Sequence, residues 1–176
     1  EMRDRLHAIG FKGLTVVGRG IDTQLFNPEK RSAELRRSWQ CENDTPVALY
    51  VGRLAAEKNL RLFVETIRAA RRHRPDLRVV IVGDGPMGMS LRSENSDFHF
   101  AGMRIGEDLA AHYASADMFV FPSLSETFGN VTLEALASGL AVVAFDYAAA
   151  REHIVHGHNG LVAQCDDESA FRSHTL

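Results

Sequence analysis

The sequence lacks the features that mark zinc-binding, disulfide-rich, membrane-spanning and nucleic-acid-binding proteins. It contains two cysteines, Cys41 and Cys165, and no paired-cysteine or cysteine–histidine spacing of the kind that binds zinc or builds a disulfide framework. We therefore expect two reduced thiols in a cytoplasmic protein. No apolar run is long enough to cross a bilayer, and we expect no secretory signal. The net charge of −3 provides no broad basic surface for nucleic acid.

Clustered basic and histidine residues do not change this expectation. The densest basic run, RAARRHR at 68–74, has no interleaved aromatic residues, so we interpret it as the solvated end of a helix. His153, His156 and His158 are spaced by three and two residues and do not form a metal-binding pair on one helix face. No Asp-x-Asp motif is present to anchor a magnesium diphosphate. We therefore expect no metal, no cofactor and no nucleic-acid partner.

What the sequence does contain is a regular alternation of apolar runs and amphipathic segments. The chain has 176 residues, enough for one well-cored domain. The continuous hydrophobicity of the runs is typical of strands buried on both faces, and the alternation predicts an α/β fold with a doubly wound parallel sheet. Strands are predicted at 14–18, 47–51, 78–83, 98–102, 118–122, 141–145 and 160–163. Helices are predicted at 32–39, 59–73, 86–93, 107–115, 130–138 and 148–155.

The loop after the predicted strand 47–51 carries two cations. Gly52 allows a close turn, and Arg53 and Lys58 follow in the run GRLAAEKN. An arginine offers a planar fork to a phosphate, and a lysine offers a mobile charge. The alternative is a pair of solvated cations with Glu57 as their partner. The presence of a second motif downstream favours phosphate binding.

That second motif is PSLSETFGNVTLEALASG, at 122–139. It places Glu126 and Glu134 on either side of a glycine-containing turn, with Gly129 and Asn130 at the start of a helix whose free N–H groups suit a phosphate. Two carboxylates beside a diphosphate make sense as acceptors for hydroxyl groups at its two ends. The alternative is a helix cap at Glu126 and an exposed helical acid at Glu134.

Other loops have simpler interpretations. The run VGDGP at 82–86 fits either a structural turn or a ligand contact, and it is not the glycine fingerprint of a dinucleotide site. A dehydrogenase is therefore disfavoured. Asp22 is interpreted as the start of an Asx-turn, and Asp146 as the cap of the following helix.

Taken together, these motifs resemble the C-terminal, donor-binding half of retaining GT-B glycosyltransferases of family GT4, the glycosyl transferases group 1. The matching segments occur in family order over nearly the whole chain: GRGIDTQLFNP, VGRLAAEKN, VGDGP, FAG, YASADMFVFPS, SETFGNVTLEALASG and HGHNGLV. The resemblance implies the second of two Rossmann-like domains. We accordingly expect a connector from a missing N-terminal domain at 1–13, and a nucleotide-sugar-binding domain at 14–176 that is truncated at its C-terminus.

The resemblance also implies roles for individual residues. The pair matching Arg53 and Lys58 binds the donor diphosphate, and Glu134 matches the acid that binds the ribose diol. Glu126 matches the acid that holds the donor sugar, and Arg104 matches a position near the base. Backbone N–H groups that also hold the sugar match residues Phe128, Gly129, Asn130 and Val131.

Three departures from the family pattern affect the choice of donor. Arg19 precedes Gly20 in the first motif, the usual Gly-Gly after the aspartate is Ala148-Ala149, and the usual proline is Ala141. GRGID together with FDYAAAREH resembles the branch that includes mannosyltransferases using GDP-mannose and related enzymes that form glycolipids. GDP-mannose is thus the first expected donor, and UDP-sugars are the alternative.

The expected activity is transfer of a hexose to a lipid or saccharide acceptor, with the acceptor pocket in the missing domain and the isolated fragment inactive. The resemblance allows a membrane-peripheral full-length protein with a membrane-lipid acceptor. Two other functions remain open from the residues. A GT-B-fold sugar-nucleotide epimerase would convert the donor without an acceptor. A non-catalytic nucleotide-binding module would bind without sugar selectivity.

Overall fold

One sheet of six parallel strands organises the residues that the structure, a computed structural model, describes: 2–15, 20–42, 44–126 and 128–176. The strand order is β3-β2-β1-β4-β5-β6, and every neighbouring pair is parallel. This confirms the predicted doubly wound sheet. The strands are β1 (Val47–Val51), β2 (Arg78–Val82), β3 (His99–Gly102), β4 (Met118–Phe121), β5 (Ala141–Phe145) and β6 (Gly160–Ala163).

Helices follow the strands much as the sequence predicts. Within the described ranges they are α1 (Met2–Ala8), α2 (Ala33–Ser38), α3 (Leu60–His73), α4 (Gly88–Glu94), α5 (Gly106–Ser115), α6 (Asn130–Ala137), α7 (Ala148–His153) and α8 (Glu168–Thr175). Short 3₁₀ turns occur at Pro28–Lys30 and Ala56–Lys58. The strand predicted at 14–18 is the exception. Residues 14 and 15 belong to no strand, and 16–18 lie outside the described residues.

The core lies on both faces of the central strands. Every residue of β1 is buried, as expected for a strand covered on both sides. The apolar stripe of α3 packs on one face, where the ring of Phe63 meets that of Tyr50 with centroids 5.4 Å apart. Burial of this stripe fixes the direction in which the chain leaves β1, and therefore where the loop before α3 lies.

The basic run at the end of α3 differs in part from its interpretation as a solvated helix end. Arg68 and Arg71 both pair with Asp97, and their guanidinium groups lie 4.6 and 5.1 Å from the ring centre of Phe98. The hydrogen bond from Arg68 lowers the pKa of Asp97 to about 2. These two arginines are therefore structural cations that attach α3 to the chain before β3. The rest of the run, 72–74, is exposed as predicted.

The strand order places a crevice next to β1. From β1 the chain moves outward through β2 and β3, then returns to β4 on the other side of β1 and continues to β6. β1 and β4 are neighbours, and the loops that follow them lead in opposite directions along the carboxyl edge of the sheet. Such a switch point is where open α/β sheets bind ligands. Both predicted motifs lie in these two loops.

Candidate functional site

Two glycine-containing loops pack against each other at the carboxyl edge of the sheet. The Leu54 N–H donates to the Asp84 carbonyl at 2.9 Å. A β-carbon at Gly83 would lie 2.0 Å from the Gly52 carbonyl oxygen, and one at Gly85 would lie 2.5 Å from that of Leu54. The close backbone approach accounts for both glycines of VGDGP. The structural interpretation of that run is therefore sufficient to explain it.

Lys58 and Glu126 meet across the switch point. Lys58 ends the 3₁₀ turn after β1, and its Nζ donates to Glu126 Oε1 at 2.5 Å and to the Ser125 carbonyl at 2.8 Å. The two side chains are only 15% and 16% exposed. The two predicted motifs are thus joined directly by a largely buried ion pair. Glu126 does not act as a helix cap, since α6 has no side-chain cap bond.

Two hydroxyl groups that the sequence analysis did not single out support this pair. Ser123 is 4% exposed, and its Oγ lies 2.8 Å from Glu126 Oε1 and 3.3 Å from Lys58 Nζ. The Tyr147 hydroxyl donates to the Glu126 carbonyl at 3.2 Å. The acid is therefore held at both its side chain and its backbone. The sequence could have indicated Ser123, because it lies three residues before Glu126 in the same loop. No sequence signal points to Tyr147.

Arg53 takes a different position from Lys58. Its side chain is 67% exposed, and its Nη1 is 3.8 Å from Glu57 Oε1, a weak contact. The buried Tyr50 hydroxyl donates to the Arg53 carbonyl at 3.1 Å and fixes the backbone at that point. The alternative of a solvated cation beside Glu57 thus describes Arg53 but not Lys58. The guanidinium group is free to turn toward a ligand in the crevice.

The start of α6 faces the same crevice. Gly129 precedes the helix with a φ of +89°, and a β-carbon there would lie 3.0 Å from the β-carbon of Ala149. The Ala149 N–H donates to the Phe128 carbonyl at 3.2 Å. Asn130 and Val131 form the first turn, so their N–H groups lie at the positive end of the helix dipole. The predicted anion-favouring helix start is therefore present in this position.

Glu134 lies one turn farther along α6 and is half-buried. Its Oε2 accepts a hydrogen bond of 2.9 Å from the hydroxyl of Tyr113, on α5. Burial raises the pKa of Glu134, and the hydrogen bond from Tyr113 opposes that rise. Burial and the neighbouring carboxylate also raise the pKa of Tyr113, so its hydroxyl stays a donor. The alternative of an exposed helical acid does not describe Glu134.

Arg104 is separate from this group. It follows β3, two strands away from β1, and its Nε donates to the Ala101 carbonyl at 2.9 Å. Its Nη1 pairs with Asp108 Oδ2 at the same distance. Within the described part of the chain, the structure does not bring Arg104 into contact with Lys58, Glu126 or Glu134.

The two remaining aspartates have structural roles. Asp22 Oδ1 accepts from the N–H groups of Gln24 and Leu25 at 2.9 and 3.1 Å, which confirms the Asx-turn. The predicted cap at Asp146 is wrong. The residue before α7 is Tyr147, with no side-chain cap bond, and Asp146 Oδ1 instead accepts from the Arg151 Nε at 3.3 Å.

The described residues hold neither a metal-binding cluster nor a membrane-spanning helix. They contain no group of three or more histidine, cysteine, aspartate or glutamate side chains placed to hold a metal ion. None of the helices in the described ranges combines the length and apolarity needed to span a bilayer.

The chain is similar to known proteins over most of its length. The family model for glycosyl transferases group 1 matches residues 45–176, three quarters of the sequence. This chain belongs to the glycosyl transferases group 1 family. The matched region begins just before β1, so it includes the Lys58–Glu126 pair and the whole of α6.

Two curated relatives match this family member at 37% and 40% identity. It is 37% identical over 164 residues to a GDP-mannose-dependent α-mannosyltransferase from Corynebacterium glutamicum, covering 93% of this chain and 38% of the relative. It is 40% identical over 134 residues to a sulfoquinovosyl transferase from Arabidopsis thaliana, covering 74% of this chain and 26% of the relative. The chain therefore spans well under half of the length of these relatives.

A solved structure confirms the fold. HepE from Anabaena, determined in complex with UDP and glucose, superposes with a TM-score of 0.78 at 24% identity. The superposition covers 97% of this chain and 48% of that protein. The parallel sheet described above is thus half of a GT-B glycosyltransferase architecture, as the resemblance implied.

Proposed function

We propose that this chain is the donor-binding half of a retaining glycosyltransferase that moves a hexose, in the first instance mannose from GDP-mannose. The relative that aligns over 93% of the chain is named for GDP-mannose and supports this choice. HepE, which shares the fold, was determined with UDP and glucose, so a UDP-sugar is kept as the alternative. The donor is a substrate, and the proposal includes no cofactor or metal.

The observation that carries the proposal is the convergence at the switch point. Lys58 and Glu126 come from different loops and form an ion pair beside the start of α6, and Glu134 lies one turn into that helix. A cation, a helix N-terminus and two flanking carboxylates match a ligand that has a diphosphate in the middle and hydroxyl groups at both ends.

The proposed roles follow from charge. As the glycosidic bond breaks, negative charge accumulates on the leaving nucleotide diphosphate. Arg53, Lys58 and the helix N-terminus stabilise that charge, and the loss of one such group typically costs about 2.7–4 kcal/mol of barrier. The nucleotide diphosphate leaves from the same face of the sugar that the acceptor attacks, as the family resemblance implies.

The remaining predicted residues bind the rest of the donor. Glu126 accepts hydrogen bonds from hydroxyl groups of the sugar, and Glu134 accepts hydrogen bonds from those of the ribose. The backbone N–H groups at 128–131 hold the sugar and phosphate, and Gly52 lets the backbone approach the diphosphate. Arg104 lies toward the base. Its guanidinium group pairs with Asp108 in the described structure and contacts none of the other site residues there, so it must leave Asp108 to reach the base.

The whole enzyme has further parts in this proposal. Residues 1–13 connect to a preceding domain that supplies the acceptor pocket, and the acceptor is a lipid or saccharide. The chain covers 38% of its mannosyltransferase relative, so the isolated chain binds the donor but does not turn it over. The protein works in the cytoplasm, at the membrane surface where the acceptor is a lipid.

Calorimetric titration tests the proposal. The chain is titrated with GDP, UDP, ADP, GDP-mannose and UDP-glucose, and again as Arg53→Ala and Glu134→Ala. Binding of one nucleotide class, weakened in both variants, is the expected result. Arg74→Ala is the control, because Arg74 is similarly exposed but follows the far end of α3, away from the crevice. No binding of any nucleotide by the folded chain would overturn the proposal.

A further inference from the structure

A buried tyrosine lies directly behind one of the two proposed donor carboxylates. Tyr113, on α5, has no exposed surface, and its hydroxyl donates to Glu134 Oε2 at 2.9 Å. The two residues are 21 positions apart and belong to different helices. The contact therefore depends on the packing of α5 against α6 and not on any local motif.

The tyrosine ring has little freedom to move. It packs edge-on against Phe26 with centroids 5.8 Å apart, and against Phe119, on β4, at 5.9 Å. A ring fixed on two sides holds its hydroxyl oxygen in one place, which fixes the direction of the hydrogen bond that it donates. The carboxylate that accepts this bond is fixed in turn.

The two oxygens of this carboxylate differ in their surroundings. Oε2 accepts from Tyr113, whereas Oε1 has no hydrogen-bond partner among the described residues. Oε1 is not among the enclosed polar atoms of the described residues, so it is open to donors from a ligand or from water. A ribose diol supplies two hydroxyl donors, which match the remaining acceptor capacity of the group.

We infer that Tyr113 is a positioning residue, which holds Glu134 through Oε2 so that Oε1 faces the ribose diol of the donor. The inference rests on the proposed function and adds a residue to it. Tyr113 does not touch the donor. It acts by limiting the orientations of Glu134 before the nucleotide arrives, so less freedom is lost when the diol binds.

Two ligands that differ only in the diol test the inference. GDP and 2′,3′-dideoxy-GDP are titrated against the wild type and Tyr113→Phe. We expect the variant to bind GDP on the order of tenfold more weakly, the usual scale of a lost hydrogen bond to a charged group, and to bind the dideoxy nucleotide as the wild type does. An equal loss for both ligands, or no loss for either, would overturn the inference. If the wild type prefers UDP, the corresponding uridine pair is used.

Tyr50→Phe is the matched control. Tyr50 is as deeply buried, but its hydroxyl contacts the Arg53 carbonyl at the diphosphate end. We expect this variant to leave the ratio of the two affinities unchanged. A change in the ratio as large as that of Tyr113→Phe would mean that any buried hydroxyl has this effect, and the inference would fail.

A second background keeps the test independent of folding defects. In a Glu134→Ala chain, Tyr113→Phe is expected to have no further effect on GDP affinity, because the group that it positions is gone. A further loss there would contradict a role that acts through Glu134. Failure of the wild type to bind either GDP or UDP is a different outcome, since it removes the proposed function itself.

Discussion

Lys58 Nζ lies 2.5 Å from Glu126 Oε1, and each side chain is about 85% shielded from solvent. Lys58, which is proposed to bind the phosphates, and Glu126, which is proposed to bind the sugar, thus neutralise each other before any donor binds. The three N–H donors of Lys58 contact Glu126 Oε1, the Ser125 carbonyl and, at 3.3 Å, Ser123 Oγ. A diphosphate can therefore bind Lys58 by replacing the long contact to Ser123, without breaking the ion pair. The ion pair therefore holds the lysine in the crevice before the donor binds and leaves neither of the two charges unpaired.

The first prediction concerns stability. Lys58→Met leaves the Glu126 carboxylate largely buried without its cation, and we expect the free energy of unfolding to fall by about 1–3 kcal/mol. Adding Glu126→Gln removes that charge and should restore part of the loss. Urea unfolding of the wild type, both single variants and the double variant measures this coupling. Simple additivity of the two single effects would contradict it.

Arg53 provides the contrast in a second prediction. Because it is 67% exposed and only weakly paired, Arg53→Met should change the free energy of unfolding by no more than about 0.5 kcal/mol. In the full-length protein, Lys58→Ala and Arg53→Ala should both lower kcat, by roughly 10²–10³-fold for Lys58, since each removes charge stabilisation from the leaving diphosphate. Steady-state assays with the nucleotide sugar measure this. Turnover like that of the wild type in Lys58→Ala would refute the assignment.

The sequence predicted the motifs better than it predicted the contacts between them. Strand-helix alternation and the loop positions located Lys58 and Glu126 at one crevice, because parallel strands end at a common edge. The direct pairing of the two side chains was not predictable, since it depends on the relative height of loops from different strands. Tyr113 was missed for the same reason. Nothing in the spacing of 21 residues indicates that α5 and α6 bring it to Glu134.

Local rules failed where a charged partner competed with them. Asp146 has the composition of a helix cap, but Arg151 binds its carboxylate instead. Arg68 and Arg71 have the composition of a solvated helix end, but Asp97 binds both. The partner of Asp146 lies five residues later in the adjoining helix, whereas Asp97 belongs to a separate segment before β3. The preferences that these partners opposed are worth about 1 kcal/mol.

The raised pKa of Glu134 leads to a third prediction. Its carboxyl binds a proton more tightly in the folded state than in the unfolded state, so stability falls as the pH rises from about 4.5 through the folded pKa. Glu134→Gln has no such penalty. We therefore expect the variant to gain stability relative to the wild type across that window, and to keep the gain at pH 7.

Chemical unfolding at a series of pH values tests this, with Glu152→Gln as control because Glu152 is 74% exposed. The control should change the free energy of unfolding little at any pH. The gain in Glu134→Gln should be accompanied by weaker GDP binding, because a site that holds an acid ready for a ligand is less stable than one that does not. A variant less stable than the wild type at pH 7 would show that burial is not the dominant effect.

A departure from the family pattern leads to the last prediction. Ala148 has a φ of +47°, in the left-handed region, which costs a residue with a β-carbon roughly 1–2 kcal/mol. The resemblance to the family implies glycine at this position, and glycine adopts this conformation without that cost, although it loses more entropy on folding. We expect Ala148→Gly to raise the free energy of unfolding by about 0.5–1 kcal/mol. Ala150→Gly, at a buried position of the same helix, should lower it by about 1 kcal/mol or more, because glycine weakens helices and the buried methyl is lost. Thermal unfolding of the two variants compares them directly, and a loss of stability in both would mean that the strain at Ala148 is too small to matter.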